Sequence, residues 1–312
     1  MNLYGDLTAS GLGFILKHIL ERAMHEILRQ RGSFEVFLKD DYDGNKEADL
    51  TTSADLAAQE IYAKLLREAL PLYGQIGEEK GLRVECRFEG QVIIITVDPL
   101  DGTRNYVRGE PFGVATMITV SIDGEIVAVY IGDINTGDIF GYRPDSPNVW
   151  RLRNSGGVFS KVNLAELDRS KTLAEGRVLL RDEREAHDRL LALVCRSTKR
   201  GGVFKSYEVT SGSIALSMSR LWTDVMVAHV LLAGNSTPWD DTPLVGIGLK
   251  LGFVWLRPNS DSTAFVEYQP VAPLEITRRD HDAIIMHRSR VADFHREVER
   301  ARLRMIADAA AY

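Results

Sequence analysis

The stretch Val97-Asp98-Pro99-Leu100-Asp101-Gly102-Thr103 concentrates residue types that do chemistry. It follows an apolar run, Val92 to Ile95, whose composition predicts a buried strand. Where that strand ends stand two carboxylates three positions apart, then a glycine, then a hydroxyl. Pro99 has no amide donor and a fixed φ, so the strand is expected to stop there. Gly102 lacks a Cβ, which lets a bound group approach the main chain. Amides that follow such a turn point at an anion, especially where a helical turn begins. Carboxylates beside anion-seeking amides make sense with a cation between them. The simplest ligand for this set is a phosphate bridged to the protein by a divalent metal.

Other segments must position this stretch. A helix is expected over residues 10–30, with Ser10 as its N-cap and Ile15, Ile19, Ala23 and Ile27 on one face. Residues 39–55 are polar. Asp41-Tyr42-Asp43-Gly44-Asn45 has calcium-loop residue types with the wrong spacing, because the Gly falls early and Thr52 stands in place of the closing Glu. A second helix is expected from Ala54 to Leu70. The turn Gly77-Glu78-Glu79-Lys80 follows Ile76, and by itself reads as a charged turn. From Val84 to Arg143 apolar runs recur with a hairpin signal at Asp123-Gly124 and a turn at residues 135–138, which predicts an antiparallel meander. The second half alternates: a strand at Arg177–Leu180, helices at Glu185–Thr198 and Gly212–Leu221, a strand within Thr223–Val230, a helix from Trp239 to Leu251, strands at Phe253–Leu256 and Ala283–His287, and a closing helix Val291–Ala310. Residues 144–176, containing Pro, Ser, Gly and Asn, are the expected boundary. This gives an α+β part over residues 1–150 and an α/β part over residues 151–312.

With 312 residues, the chain is long enough for one large domain or two smaller ones. Thirty-eight basic against 44 acidic residues give a net charge of -6, which argues against a nucleic acid polymer as partner. A small anionic substrate stays compatible, since a metal reverses the local sign. Cys86 and Cys195 form no C-x-x-C pair and read as free thiols in a reducing compartment. The apolar patch from Phe14 to Leu20 is interrupted by Lys17 and His18, is too short to span a membrane, and lacks a basic start and a cleavage site. A cytoplasmic protein with no membrane partner is expected.

Asp98 through Tyr106 resembles the signature of the inositol monophosphatase family of metal-dependent phosphatases, a superfamily that includes fructose-1,6-bisphosphatases and 3'(2'),5'-bisphosphate nucleotidases. Three further segments occur in the family's order: Asp49 through Thr52 to Asp55, Gly77-Glu78-Glu79, and Trp239-Asp240 ahead of a helix. The resemblance implies a layered αβαβα sandwich with the site between its two halves. It implies Glu78, Asp98, Asp101 and Asp240 as side-chain ligands of two or three Mg²⁺ ions, with the Leu100 carbonyl as a backbone ligand. Thr103, paired with Asp55, would orient the nucleophilic water together with Glu78. The amides of Gly102 and Thr103 would hold the phosphate, with Asp101, Ser213 and Asp240 at the substrate. Ser213 starts a predicted helix and reads equally as a plain cap.

These roles imply hydrolysis of a small phosphorylated metabolite by metal-activated water, with no covalent nucleophile. A homodimer is a family expectation. Two departures bear on the substrate. The inositol-cleaving members carry an acidic residue seven positions before the late Asp, where this chain has Ala233, and Asp241-Thr242-Pro243 replaces the small residues that usually follow Trp-Asp. The alternatives are a 3'(2'),5'-bisphosphate nucleotidase, another nucleotide, sugar or histidinol phosphatase, or a catalytically silent relative that binds metal and phospho-ligand.

Overall fold

A computed structural model describes residues 4–39, 50–155 and 158–310. Asp49, of the early acidic segment, and the calcium-loop-like residues 41–45 lie outside the described residues.

Two sheets organise the chain. The larger has eight strands in the order Val158–Asn163, Trp150–Ser155, Ile139–Tyr142, Glu125–Asp133, Ala115–Ile122, Ile93–Asp101, Gly74–Gly77, Arg83–Val84. Its neighbours run antiparallel except Gly74–Gly77, which lies parallel to Ile93–Asp101. The six-stranded sheet runs Ser206–Val209, Arg177–Leu180, Ala228–Leu231, Ala283–His287, Phe253–Pro258, Phe265–Tyr268, with its first three strands parallel.

Side-chain alternation along the strands sorts the core into layers. In Ala115–Ile122, residues Ile118, Val120 and Ile122 face the helices Ala9–Gln30 and Ser53–Ala69. Ala115 and Met117 face the other way, onto the helices Ile214–Trp222 and Pro238–Lys250. Ala283 and Ile285 close that middle layer from the second sheet, while Ile284 and Met286 face the helices Arg189–Val194 and Val291–Ala310. Helices and sheets thus alternate as αβαβα, the expected layered sandwich. The middle helix fits between two sheets because of its glycines. A Cβ on Gly246 would stand 2.8 Å from Ile126 and Val129 of one sheet, and one on Gly248 would stand 2.3 Å from Trp255 of the other.

Several elements differ from the sequence expectation for local reasons. The first helix is capped by Thr8, whose hydroxyl accepts from the Gly11 amide at 3.0 Å, and not by Ser10. The second starts at Ser53 under a reciprocal capping box between Thr52 and Asp55. The expected helix Glu185–Thr198 shortens to Arg189–Val194, because Asp188 caps it at the Leu190 amide, 2.8 Å. The expected strand from Thr223 begins only at Ala228, since Asp224 adopts a left-handed φ of 57° and binds Arg290 at 2.7 Å. Residues 150–155 and 158–163 form two further strands of the large sheet within the stretch read as irregular. Their first strand is tied back by Arg151 Nε donating to Asp138 at 2.7 Å.

Candidate metal centre

Strand Ile93–Asp101 does not stop at Pro99 as expected, but its pairing does lapse. Its ladder with Ala115–Ile122 runs from Ile93 to Asp98, then resumes at Asp101. Pro99 and Leu100 form the interruption, because a proline offers no ladder donor. Asp98 Oδ1 accepts the Leu100 amide at 2.9 Å, so the carboxylate folds back over the break. The Leu100 carbonyl lies 3.1 Å from Thr103 Oγ1, which also stands 3.0 Å from Asp55 Oδ1. Asp55 itself is pinned by the second helix, accepting the Thr52 amide at 2.8 Å.

Gly102 serves a different need from the one its sequence position suggests. It has φ 96°, and a Cβ there would fall 2.2 Å from the Gly113 carbonyl and 2.7 Å from the Ser213 amide. The close approach is thus made by the protein's own backbone, which joins the turn to the segment ahead of helix Ile214–Trp222. Gly102→Ala is expected to cost more than about 1 kcal/mol, read as a lowered urea midpoint at unchanged slope. An unshifted midpoint would mean the Gly113 segment yields freely.

The second carboxylate of the turn is held across the chain. Asp101 accepts from Ser213 Oγ at 2.5 Å and from the amides of Ile214 and Ala215, each at 3.0 Å. An anion is favoured at this helix N-terminus by the unpaired amides and the helix dipole. Ser213 is the N-cap, and its hydroxyl also accepts from the Leu216 amide at 2.9 Å. Its hydroxyl therefore faces Asp101.

Asp240 comes from helix Pro238–Lys250, where Thr237 caps it: Asp240 N donates to Thr237 Oγ1 at 3.2 Å and Thr237 Oγ1 to Asp240 Oδ2 at 2.8 Å. Pro243 sits in the early turns of that helix without breaking it. Asp241 turns to Ser236 instead. Oxygens of Asp98, Asp101 and Asp240 lie within 4.8 Å of one another. Glu78 stands near enough for its charge to act on Asp98 and Asp240. Three of the four acids named from the sequence thus share one group, and Glu78 acts on it through its charge.

Their proton affinities record the crowding. Burial, then the charges of Glu78, Asp101 and Asp240, hold Asp98 well above the ordinary carboxylate range. Asp240 is likewise well above it, from burial and the charges of Asp101 and Glu78. Burial raises Asp101, against the pull of Ser213, Ala215 and Arg181. Burial raises Asp55 to about 7, with Glu79 and Glu78 adding to it and the Thr52 hydroxyl opposing.

Lys39 was not legible in the sequence as part of this group. Its ammonium contacts Glu78 at 2.7 Å and Glu79 at 2.6 Å. Burial disfavours its charge, but the two carboxylates outweigh that and hold its pKa above the usual lysine value. Glu79 is further fixed by Thr51 Oγ1 at 3.0 Å and by its amide donating to Gln59 Oε1 at 2.8 Å. A lone lysine beside an acidic loop carries no local signal of such a partner.

The donor set fits a hard divalent cation. Its atoms are carboxylate oxygens, close together and mutually repelling, with Lys39 compensating only the Glu78 side.

Residues 14–143 match the model of the inositol monophosphatase family. That stretch contains Asp55, Glu78, Asp98, Asp101 and Thr103, while Asp240 lies beyond it. An inositol-1-monophosphatase of Caulobacter vibrioides is 40% identical over 94 residues, which cover 30% of this chain and 35% of that protein. The Nus factor SuhB of Xylella fastidiosa is 36% identical over 92 residues, 30% of this chain and 31% of that protein. The chain thus aligns with about a third of the length of these curated relatives. In three dimensions, an IMPase/NADP phosphatase solved with Mg²⁺ and phosphate superposes with a TM-score of 0.67 at 16% identity, covering 93% of this chain and 96% of that one. At that identity the likeness is one of fold.

Proposed function

We propose that this chain, whose residues 14–143 match the model of the inositol monophosphatase family, is a Mg²⁺-dependent phosphomonoesterase of a small phosphorylated metabolite. The observation that supports this best is the convergence of Asp98, Asp101 and Asp240 within 4.8 Å, with the charge of Glu78 acting on Asp98. In this reading Glu78, Asp98, Asp101, Asp240 and the Leu100 carbonyl hold two or three Mg²⁺ ions. When bound, Mg²⁺ lowers the pKa of a water and stabilises the charge that leaves with the alcohol.

The remaining work belongs to side chains and backbone. Thr103 and Asp55, 3.0 Å apart, orient the attacking water together with Glu78. The amides of Gly102 and Thr103, at the start of a helical turn, receive the phosphoryl oxygens. The N-terminus of helix Ile214–Trp222 fixes Asp101 in place through three donors, so the carboxylate need not reorganise as charge develops.

Phosphate release is the test. With Mg²⁺, a panel of inositol, sugar, 3'-nucleotide and histidinol phosphates is expected to include at least one turned-over ester, and EDTA is expected to abolish that turnover. A second reading is a metal- and phospho-ligand-binding protein without turnover, since one relative, 36% identical over 92 residues, is named as a Nus factor and not as a phosphatase. Calorimetric Mg²⁺ binding with no phosphate release over the whole panel would select it.

A further inference from the structure

We propose that Arg181 is a specificity-determining residue that receives a second anionic group, a carboxylate or phosphate carried on the leaving alcohol of the substrate. The inference rests on the phosphomonoesterase reading and specifies its substrate class.

Arg181 stands at the carboxyl end of the middle of three parallel strands, Ser206–Val209, Arg177–Leu180 and Ala228–Leu231. In open α/β sheets ligands bind in the crevice beyond such strand ends. Here the flanking strands lead into the Ser213 loop on one side and Leu232–Ala233 on the other. Arg181 Nη1 donates to Ser217 Oγ at 3.1 Å, one turn along the helix whose N-terminus holds Asp101. Its positive charge also acts on the Asp101 carboxyl.

The guanidinium is otherwise uncommitted. Other arginines of this region are paired: Arg177 and Arg220 share Glu208 at 3.1 and 2.5 Å, and Arg290 holds Asp224 at 2.7 Å. Among the described residues Arg181 forms no ion pair. Asp101 is held instead by Ser213, Ile214 and Ala215. Below Arg181 in the fold, His229 is fully buried and both its ring nitrogens lack partners. Burial, then the charges of Arg181 and Arg220, lower His229 to about 3, so it stays neutral and adds no competing charge. Ala233 presents only a methyl group at the next strand end, and the carboxylate beside it, Asp282, is engaged by the Ala233 amide at 2.8 Å and the Asp188 amide at 2.7 Å. A half-buried, unpaired guanidinium suits a planar or tetrahedral anion through two parallel hydrogen bonds.

The test uses inhibition of p-nitrophenyl phosphate hydrolysis at fixed free Mg²⁺. The competitors share one skeleton: glycerol 2-phosphate, 2-phosphoglycerate with a carboxylate, and glycerol 1,2-bisphosphate with a second phosphate. The expected result is that one of the two doubly anionic ligands binds roughly tenfold tighter than glycerol 2-phosphate. Which of the two gains tells carboxylate from phosphate. In Arg181→Gln the advantage is expected to shrink to about twofold or less, with Arg181→Lys keeping part of it. Equal inhibition by all three in the wild type, or an advantage kept in Arg181→Gln, would overturn the proposal. So would an equal loss on all three ligands, which would mark Arg181 as structural support for Asp101. Absence of any p-nitrophenyl phosphate hydrolysis would instead remove the phosphomonoesterase reading, and this inference with it.

Discussion

Asp98→Asn is expected to lower phosphate-ester turnover by about 10³-fold or more, as loss of a main charge-stabilising group does. The side chain is 1% exposed and sits where burial and three neighbouring carboxylates converge. An asparagine keeps its shape, and its amide oxygen can still accept from the Leu100 amide, now at 2.9 Å. Asp98's own carbonyl also keeps its bond from Thr116 Oγ1 at 3.0 Å, which the Tyr62 hydroxyl supports at 2.8 Å. The substitution removes a charge and leaves the frame intact. Without metal, the variant should therefore melt at or above the wild-type temperature, because like charges in a buried cluster repel. With Mg²⁺, it should gain less thermal stability than the wild type, since ligand binding stabilises by mass action. Turnover within a few-fold of wild type would remove Asp98 from the proposed metal site.

The second large effect concerns pH in the metal-free protein. Asp98, Asp240, Glu78 and Asp101 all bind protons more tightly in the fold than ordinary carboxyls do, and Asp55 titrates at about 7. Between the ordinary aspartate value of 3.8 and about 7, these five carboxyls therefore hold more protons in the fold than in the unfolded chain, and they outnumber the single proton that buried His229 gives up. Stability must then fall as pH rises through this window, opposite to the usual behaviour of a salt-bridged carboxylate. In EDTA the melting temperature is expected to drop by more than about 5 °C from about pH 5 to about pH 8. Excess Mg²⁺ should reverse the drop, and most strongly at the upper end, where the carboxylates are ionised. A metal-free melting temperature that climbs across the same range would show that the cluster does not carry the repulsion described.

How much was legible depends on how far apart the interacting residues lie in the chain. The Asp123-Gly124 hairpin with φ of 49° and 85° and the break at Pro99 are settled within about four residues. Residue types alone therefore pointed to them. Apolar runs likewise predicted four strands of the large sheet, Ile93–Asp101, Ala115–Ile122, Glu125–Asp133 and Ile139–Tyr142. Exposed strands such as Val158–Asn163, which bury almost nothing, carry no such pattern and were missed.

Only the packed layers decided the rest. Lys39 lies 39 residues from Glu78 in the chain, and Ser213 lies 112 residues from Asp101, yet each pair is in direct contact. No local pattern encodes such pairs, because they arise when separate helices and strands are stacked and their buried charges must find partners. By itself the sequence pointed to the acids Asp98, Asp101 and Asp240 that gather here, and to a turn that presents two of them. The tertiary structure decided that a helix N-terminus holds Asp101, that Gly102 is glycine to admit the Gly113 carbonyl, and that Arg181 has no ion pair among the described residues. The physical reason is common to all three: close approach and charge compensation are properties of surfaces brought together, and those surfaces exist only after the layers pack.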